Sequence, residues 1–230
     1  MDWTGVRAMV FDMDGTLLNT EQVIVQSASQ VLQALGHAPL PMGYGMPNMF
    51  GTAAELMADV LMERSLPMPS GGHAQLGVLF ESFYALQPAD AAPLYEGVLG
   101  WLQAAKAQGL KLGVCTNKQH ALALKGLEAS GILSLFDAVT GRDTYGVAKP
   151  AAEPLLGTLQ ALQVSASDAV FFGDTHADAA CAQAARVRFA WFSSGFGTPQ
   201  VQAYPQVLAF ANYEELCPLD LALPAPVPAQ

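Results

Sequence analysis

The chain has 230 residues, 52% of them hydrophobic, and a formal net charge of −10. That length and apolar share support a substantial buried core, built as one large domain or as a domain with an insert. The acidic balance argues against a broad nucleic-acid surface, and no apolar run approaches the roughly 18 residues of a membrane span, so neither nucleic acid nor membrane is an expected partner.

The first residues, Met1-Asp2-Trp3-Thr4-Gly5, carry no basic leader and do not read as a signal peptide. Val6–Phe11 follows, a short apolar run that reads as a buried strand. It closes in Phe11-Asp12-Met13-Asp14-Gly15-Thr16. Successive side chains of a strand alternate, so Asp12 and Asp14 share a side while Met13 faces away. Gly15 then lets the backbone turn off the strand end. Two close carboxylates at the end of an apolar strand repel each other and resist desolvation. Something positive must sit there, and a divalent metal is the simplest candidate.

Residues 17–91 show no convincing strand, only helical patches at Glu21–Leu35, Ala53–Glu63 and Leu76–Leu86 joined by Gly/Pro-rich loops. This stretch reads as a helical cap inserted after the first strand. It holds methionines 42, 46, 49, 57, 62 and 68, read as filler in the core of a small bundle rather than as an adaptable lid surface.

Strands are then expected at Lys111–Thr116, Asp137–Val139, Ala169–Gly173, Phe189–Phe192 and Val207–Phe210, with helices at Gly97–Gln108, Ala121–Ala129 and Glu153–Leu162 between them. Gly109 and Gly131 fall where helix C-caps belong. Continuous apolar runs such as Val170-Phe171-Phe172 fit a parallel sheet covered on both faces. The expected architecture is α/β: a Rossmann-like doubly wound parallel sheet at 1–16 and 92–216, a helical cap at 17–91, and an extended Pro-rich tail at 217–230. Cys115, Cys181 and Cys217 are odd in number, widely spaced and without a Cys-x-x-Cys pair, which reads as reduced, packed thiols in a cytoplasmic protein.

Three further motifs carry chemistry. Gly113-Val114-Cys115-Thr116-Asn117-Lys118 puts a hydroxyl and an amide at a strand's carboxyl end. Lys149-Pro150 follows a loop and precedes a helix. Phe171-Phe172-Gly173-Asp174-Thr175-His176-Ala177-Asp178 puts two acids at another strand end. A helix starting near Thr175 would be flanked by Asp174 and Asp178, with its dipole helping to tolerate them. In a parallel α/β sheet these ends share one edge, where ligands bind. Four acids, a hydroxyl, an amide and a lysine therefore converge. Oxygen ligands without His or Cys favour Mg²⁺ over zinc.

With these four motifs in order over nearly the whole chain, the sequence resembles the phosphatases of the haloacid dehalogenase superfamily, in particular the phosphoglycolate phosphatase type. Thr116-Asn117-Lys118, the run Lys149-Pro150-Ala151-Ala152-Glu153-Pro154-Leu155-Leu156, and Gly173-Asp174-Thr175 are family-like details. The resemblance implies that Asp12 attacks phosphorus to form an aspartyl-phosphate. It makes Asp14 the acid that protonates the leaving alcohol and then the base that activates water. Thr116 and nearby amides hold the phosphoryl oxygens, and Lys149 stabilises their charge and that of Asp12. Mg²⁺ is held by Asp12, the Asp14 carbonyl and Asp174, with Asp178 as ligand or just behind. The dehalogenase branch lacks an acid at the position of Asp14, which points to phosphate esters. Asn19, Ala152 and Ala185 depart from the residues common in relatives, Asp, Pro and Gly, and none removes a proposed catalytic group.

Asn117 is also read as a phosphate-site residue, Lys118 as a solvated neighbour, His176 as no ligand, and Cys115 as a core strand residue. The cap segment carries a net charge of −5 before any histidine is protonated, so the leaving group is expected to be small or weakly charged. The expected activity is Mg²⁺-dependent hydrolysis of a small phosphorylated metabolite by a monomer or small homo-oligomer. A phosphomutase or a non-catalytic binding protein on the same scaffold are the rival readings.

Overall fold

A computed structural model describes residues 3–88, 91–197 and 199–216. Six strands, β1 (Ala8–Phe11), β2 (Lys111–Cys115), β3 (Ala138–Thr140), β4 (Ala169–Gly173), β5 (Arg188–Phe192) and β6 (Leu208–Phe210), form one sheet. Their order is β3-β2-β1-β4-β5-β6 and every pair is parallel. The chain winds outward from β1 to β3, then returns to the other side of β1 for β4 to β6. This is the doubly wound α/β sheet that the alternation predicts. β1 sits at the switch point, where the crevice beyond the carboxyl ends takes ligands.

Side-chain alternation builds a core on each face. Met9 and Phe11 of β1, with Val114 and Phe172, pack on one side against Trp101 and Leu102 of α4 (Val98–Ala107) and Leu127 of α5 (His120–Ala129). Ala8, Val10 and Phe171 pack on the other against Leu155 and Leu159 of α6 (Glu153–Leu162) and Ala182 of α7 (His176–Ala185). Burying both faces removes the strands from water and explains their unbroken apolar runs.

Residues between β1 and α4 form three helices, α1 (Glu21–Ala34), α2 (Ala53–Glu63) and α3 (Gly72–Ala85). They share an apolar core of their own, including Ile24, Val31, Leu32, Leu56, Met57, Val60, Leu76 and Phe80. Thr52 and Glu55 form a reciprocal capping box at the start of α2, satisfying its first free amides. The bundle-filler reading of the methionines fits buried Met57, but Met42 is 104% exposed and Met62 73% exposed. The two segments that join cap to core run side by side: Asn19 N–H donates to Pro93 O (2.9 Å) and Tyr95 N–H to Leu17 O (3.0 Å). A paired crossing of this kind can act as a hinge between two separately packed bodies.

Cys115 and Cys181 are buried, free thiols. Cys217 and the Pro-rich tail lie outside the described residues. Among the described residues no helix is long and apolar enough to cross a membrane.

Candidate active site

β1 and β4 are in register with Phe11 beside Phe172, so the residues that follow them emerge together. Asp12 N–H donates to Phe172 O at 2.8 Å. Gly15, at φ +82°, turns the chain back, and a Cβ there would lie 2.4 Å from Asp174 Oδ2. The second acid motif folds as its spacing predicts. Thr175 caps α7, and its N–H (3.0 Å) and hydroxyl (2.6 Å) both donate to Asp178 Oδ2.

Lys149 reaches this point from the loop before α6. The residue is 5% exposed, with Nζ 2.8 Å from Asp12 Oδ1 and 2.5 Å from Asp178 Oδ1. Asp174 is fully buried; its Oδ1 accepts from Thr16 Oγ1 (2.6 Å) and its Oδ2 from Phe196 N–H (2.7 Å). One oxygen each of Asp12, Asp174 and Asp178 lie within 4.8 Å of one another. Three buried carboxylates thus lie together, and one ammonium group pairs with two of them. Burial pushes Asp12 up to about 7; Lys149 pulls against that, while Asp178 adds to the rise. Burial also holds Asp174 well above the usual carboxylate range, reinforced by Asp178 and Asp12. Burial alone would depress Lys149, but Asp12 and Asp178 outweigh it and raise its pKa. The cluster is short of positive charge, and its donors are all oxygen, so a hard divalent cation fits it.

Asp14 points toward the cap. Lys118 Nζ donates to both of its oxygens, at 2.8 and 2.7 Å, and lies 4.1 Å from the centroid of the Tyr84 ring. Lys118 is therefore not a solvated neighbour: its side chain is 9% exposed. Asp14 raises the Lys118 pKa against the opposing effect of burial. Thr116 is buried and lines the same cleft, its hydroxyl accepting from Lys118 N–H at 3.2 Å. Asn117 lines it too, but its amide grips backbone. Oδ1 accepts from Lys149 N–H (2.8 Å), and Nδ2 donates to Lys149 O (3.1 Å) and to Phe50 O of the cap (3.2 Å). His176 packs edge-on to Phe50, ring centroids 4.1 Å apart.

The cap rests on the core through these contacts and through an Arg142–Glu81 ion pair. Sequence reading missed Lys118, this ion pair and the Gly195-Phe196-Gly197 loop around Asp174. A Cβ at Gly197 would lie 1.8 Å from Asp174 O, so this loop can approach only because the residue is glycine. A Gly-x-Gly separated from a strand by two residues, on the ligand-binding edge, is the signal that could have found it.

The carboxylate and lysine cluster thus lies at the switch point of a doubly wound sheet, beneath the three cap helices. The family model for haloacid dehalogenase-like hydrolases matches residues 9–192, and the chain belongs to that family. Within it the chain is phosphoglycolate phosphatase-like. A phosphoglycolate phosphatase of Cereibacter sphaeroides is 31% identical over 208 residues, 90% of this chain and 94% of the relative. The fold matches the crystal structure of a predicted phosphoglycolate phosphatase from Haemophilus somnus, with a TM-score of 0.82 and 22% identity over 92% of this chain and 96% of that one. It also matches a mutant of CbbY from Rhodobacter sphaeroides in complex with xylulose-(1,5)bisphosphate, with a TM-score of 0.75 and 18% identity over 92% and 96% of the two chains.

Proposed function

We propose that the protein is a Mg²⁺-dependent phosphomonoester hydrolase that works through an aspartyl-phosphate. The observation that carries this reading is the buried group of Asp12, Lys149, Asp174 and Asp178 at the carboxyl ends of β1 and β4. Asp12, Asp174 and the Asp14 backbone carbonyl are the groups assigned to hold the metal. Both oxygens of Asp178 already serve Lys149 and Thr175, so its part is to aim Lys149 and add charge behind the metal. When bound, Mg²⁺ neutralises charge on the phosphoryl oxygens.

Asp12 is the nucleophile because its carboxylate stands on the floor of the cleft within reach of Lys149. That ammonium screens its charge from the phosphoryl group it must attack. Thr116 and the adjacent amides receive the phosphoryl oxygens. Asn117 keeps Lys149 in place by gripping its backbone on both sides. Asp14 is set apart from the buried cluster and faces the cap, where the leaving group must lie. From there it gives a proton to the departing alkoxide and later takes one from water.

Two results test these assignments. EDTA should abolish phosphate release from p-nitrophenyl phosphate, and Mg²⁺ should restore it. Full activity in a protein shown by elemental analysis to be metal-free would refute the metal assignment. Asp14→Asn should cost about 10²–10⁴-fold in kcat for alkyl phosphates, which leave as basic alkoxides. The loss should be much smaller for p-nitrophenyl phosphate, whose phenolate needs no proton. Equal losses on both would remove Asp14 from proton transfer.

A further inference from the structure

A cleft, part of it open to solvent, lies between cap and core. Its floor carries Asp12, Asp14, Thr116 and Lys149. Its lining also includes Ile24, Leu56 and Phe80 of the cap, the Tyr84 ring, Leu122 from α5 and the polar Gln119. Among the described residues lining this cleft, the charged side chain that the cap contributes is Glu81.

Each cation near the cleft is already matched. Lys149 meets Asp12 and Asp178, Lys118 meets Asp14, and Arg142 meets Glu81. A phosphoryl group can take the Lys149 position together with a bound metal. A second anionic group on the same molecule would lie toward the cap instead. It would meet these apolar side chains and two carboxylates, Asp14 and Glu81, each holding its cation. With those cations already matched, the second anion would lose its water without gaining a partner, which disfavours such a ligand. An apolar body placed there is instead removed from water at a gain.

Resting on the phosphomonoesterase reading above, we propose that the leaving alcohol is uncharged and carries an apolar body, so that the phosphoryl group is the substrate's single anionic group. The reaction then replaces the ester P–O bond by one from water. The alcohol departs with the proton from Asp14, and inorganic phosphate is released. Glu81 is a specificity-determining residue in this scheme: it presents a carboxylate to the cleft and is held there by Arg142, which lies outside the cleft lining.

The test compares kcat/KM for benzyl phosphate, phosphoglycolate and ribose 5-phosphate at fixed Mg²⁺. All three leave as alkoxides of primary alcohols, so intrinsic reactivity does not decide the ranking. Benzyl phosphate is expected to lead the other two by about tenfold or more. Phosphoglycolate or ribose 5-phosphate in first place overturns the proposal and leaves the phosphatase reading standing. Release of phosphate from none of the three overturns both. Glu81→Gln should raise the phosphoglycolate to benzyl phosphate ratio on the order of tenfold by removing a carboxylate from the cleft lining, and Arg142→Gln, which leaves that carboxylate unpaired, should lower it. A ratio unmoved by either substitution overturns the role of Glu81.

Discussion

An Asp12→Asn protein should release phosphate on the order of 10⁴-fold more slowly than the parent, or worse, while remaining folded. The loss follows from the assigned chemistry: an amide oxygen is too weak a nucleophile to form the acyl phosphate. The stability half of the prediction separates lost chemistry from lost structure. Asp12 has its folded-state pKa raised from 3.8 to about 7, mainly by burial. A carboxyl group shifted in that direction binds its proton more tightly in the folded chain. It therefore has no effect below about pH 4, lowers stability progressively as pH rises to about 7, and exerts its full destabilising effect above that. Asparagine removes that charge, and Lys149 keeps Asp178 as its partner. In EDTA at pH 8 the variant's Tm should therefore equal or exceed the parent's. An inactive variant that melts well below the parent would mean that Asp12 is structural. Full activity, in protein checked for contaminating phosphatase, would mean that the nucleophile is another group.

The fold was legible where local signals agree. β4 at Ala169–Gly173, α2 at Ala53–Glu63 and α6 at Glu153–Leu162 have the limits expected from sequence, because each is an apolar or periodic run between clear boundaries. β1 begins two residues later than expected, at Ala8, because only there do Lys111 and Ala169 arrive as partners on either side. Helix α3 begins a turn earlier than expected, at Gly72. Gly71-Gly72 reads as a breaker, yet Gln75 Oε1 accepts from Gly71 N–H at 3.0 Å and anchors the first turn.

At the site, Asp12, Lys149, Asp174 and Asp178 could be placed together because parallel topology carries strand ends to one edge. Lys118 could not. Its partners are Asp14, from another strand end, and Tyr84, from the cap. Spacing within a motif says nothing about a pair made when two separately folded bodies meet. The same holds for Glu81 with Arg142 and for Phe196 with Asp174. Asn117 shows a subtler gap. Its position on the edge was readable, but the orientation of its amide, onto the Lys149 backbone, was not.

Lys149→Met should lose about 10²–10³-fold in kcat and, at pH 8 in EDTA, about 3–5 kcal/mol of stability. The substitution keeps much of the side chain's volume and removes its charge. It leaves Asp12 and Asp178 buried side by side without the ammonium that both contact. The pH dependence identifies the cause. Lys149 has its pKa raised above the ordinary 10.5 by these two acids against the effect of burial. Its stabilising contribution in the parent is therefore fully present at pH 8 and is lost only as pH rises through that higher folded value. Asp12 titrates near 7 even with Lys149 pulling it down, so in the variant it climbs further. Protonation then relieves the unpaired charge as pH falls, and the deficit should shrink steadily from pH 8 toward pH 5. Urea unfolding of parent and variant at both pH values measures it. A deficit of equal size at pH 5 and pH 8 would show that Lys149 acts through packing alone, and the charge-screening role assigned to it in phosphoryl transfer would fall with it.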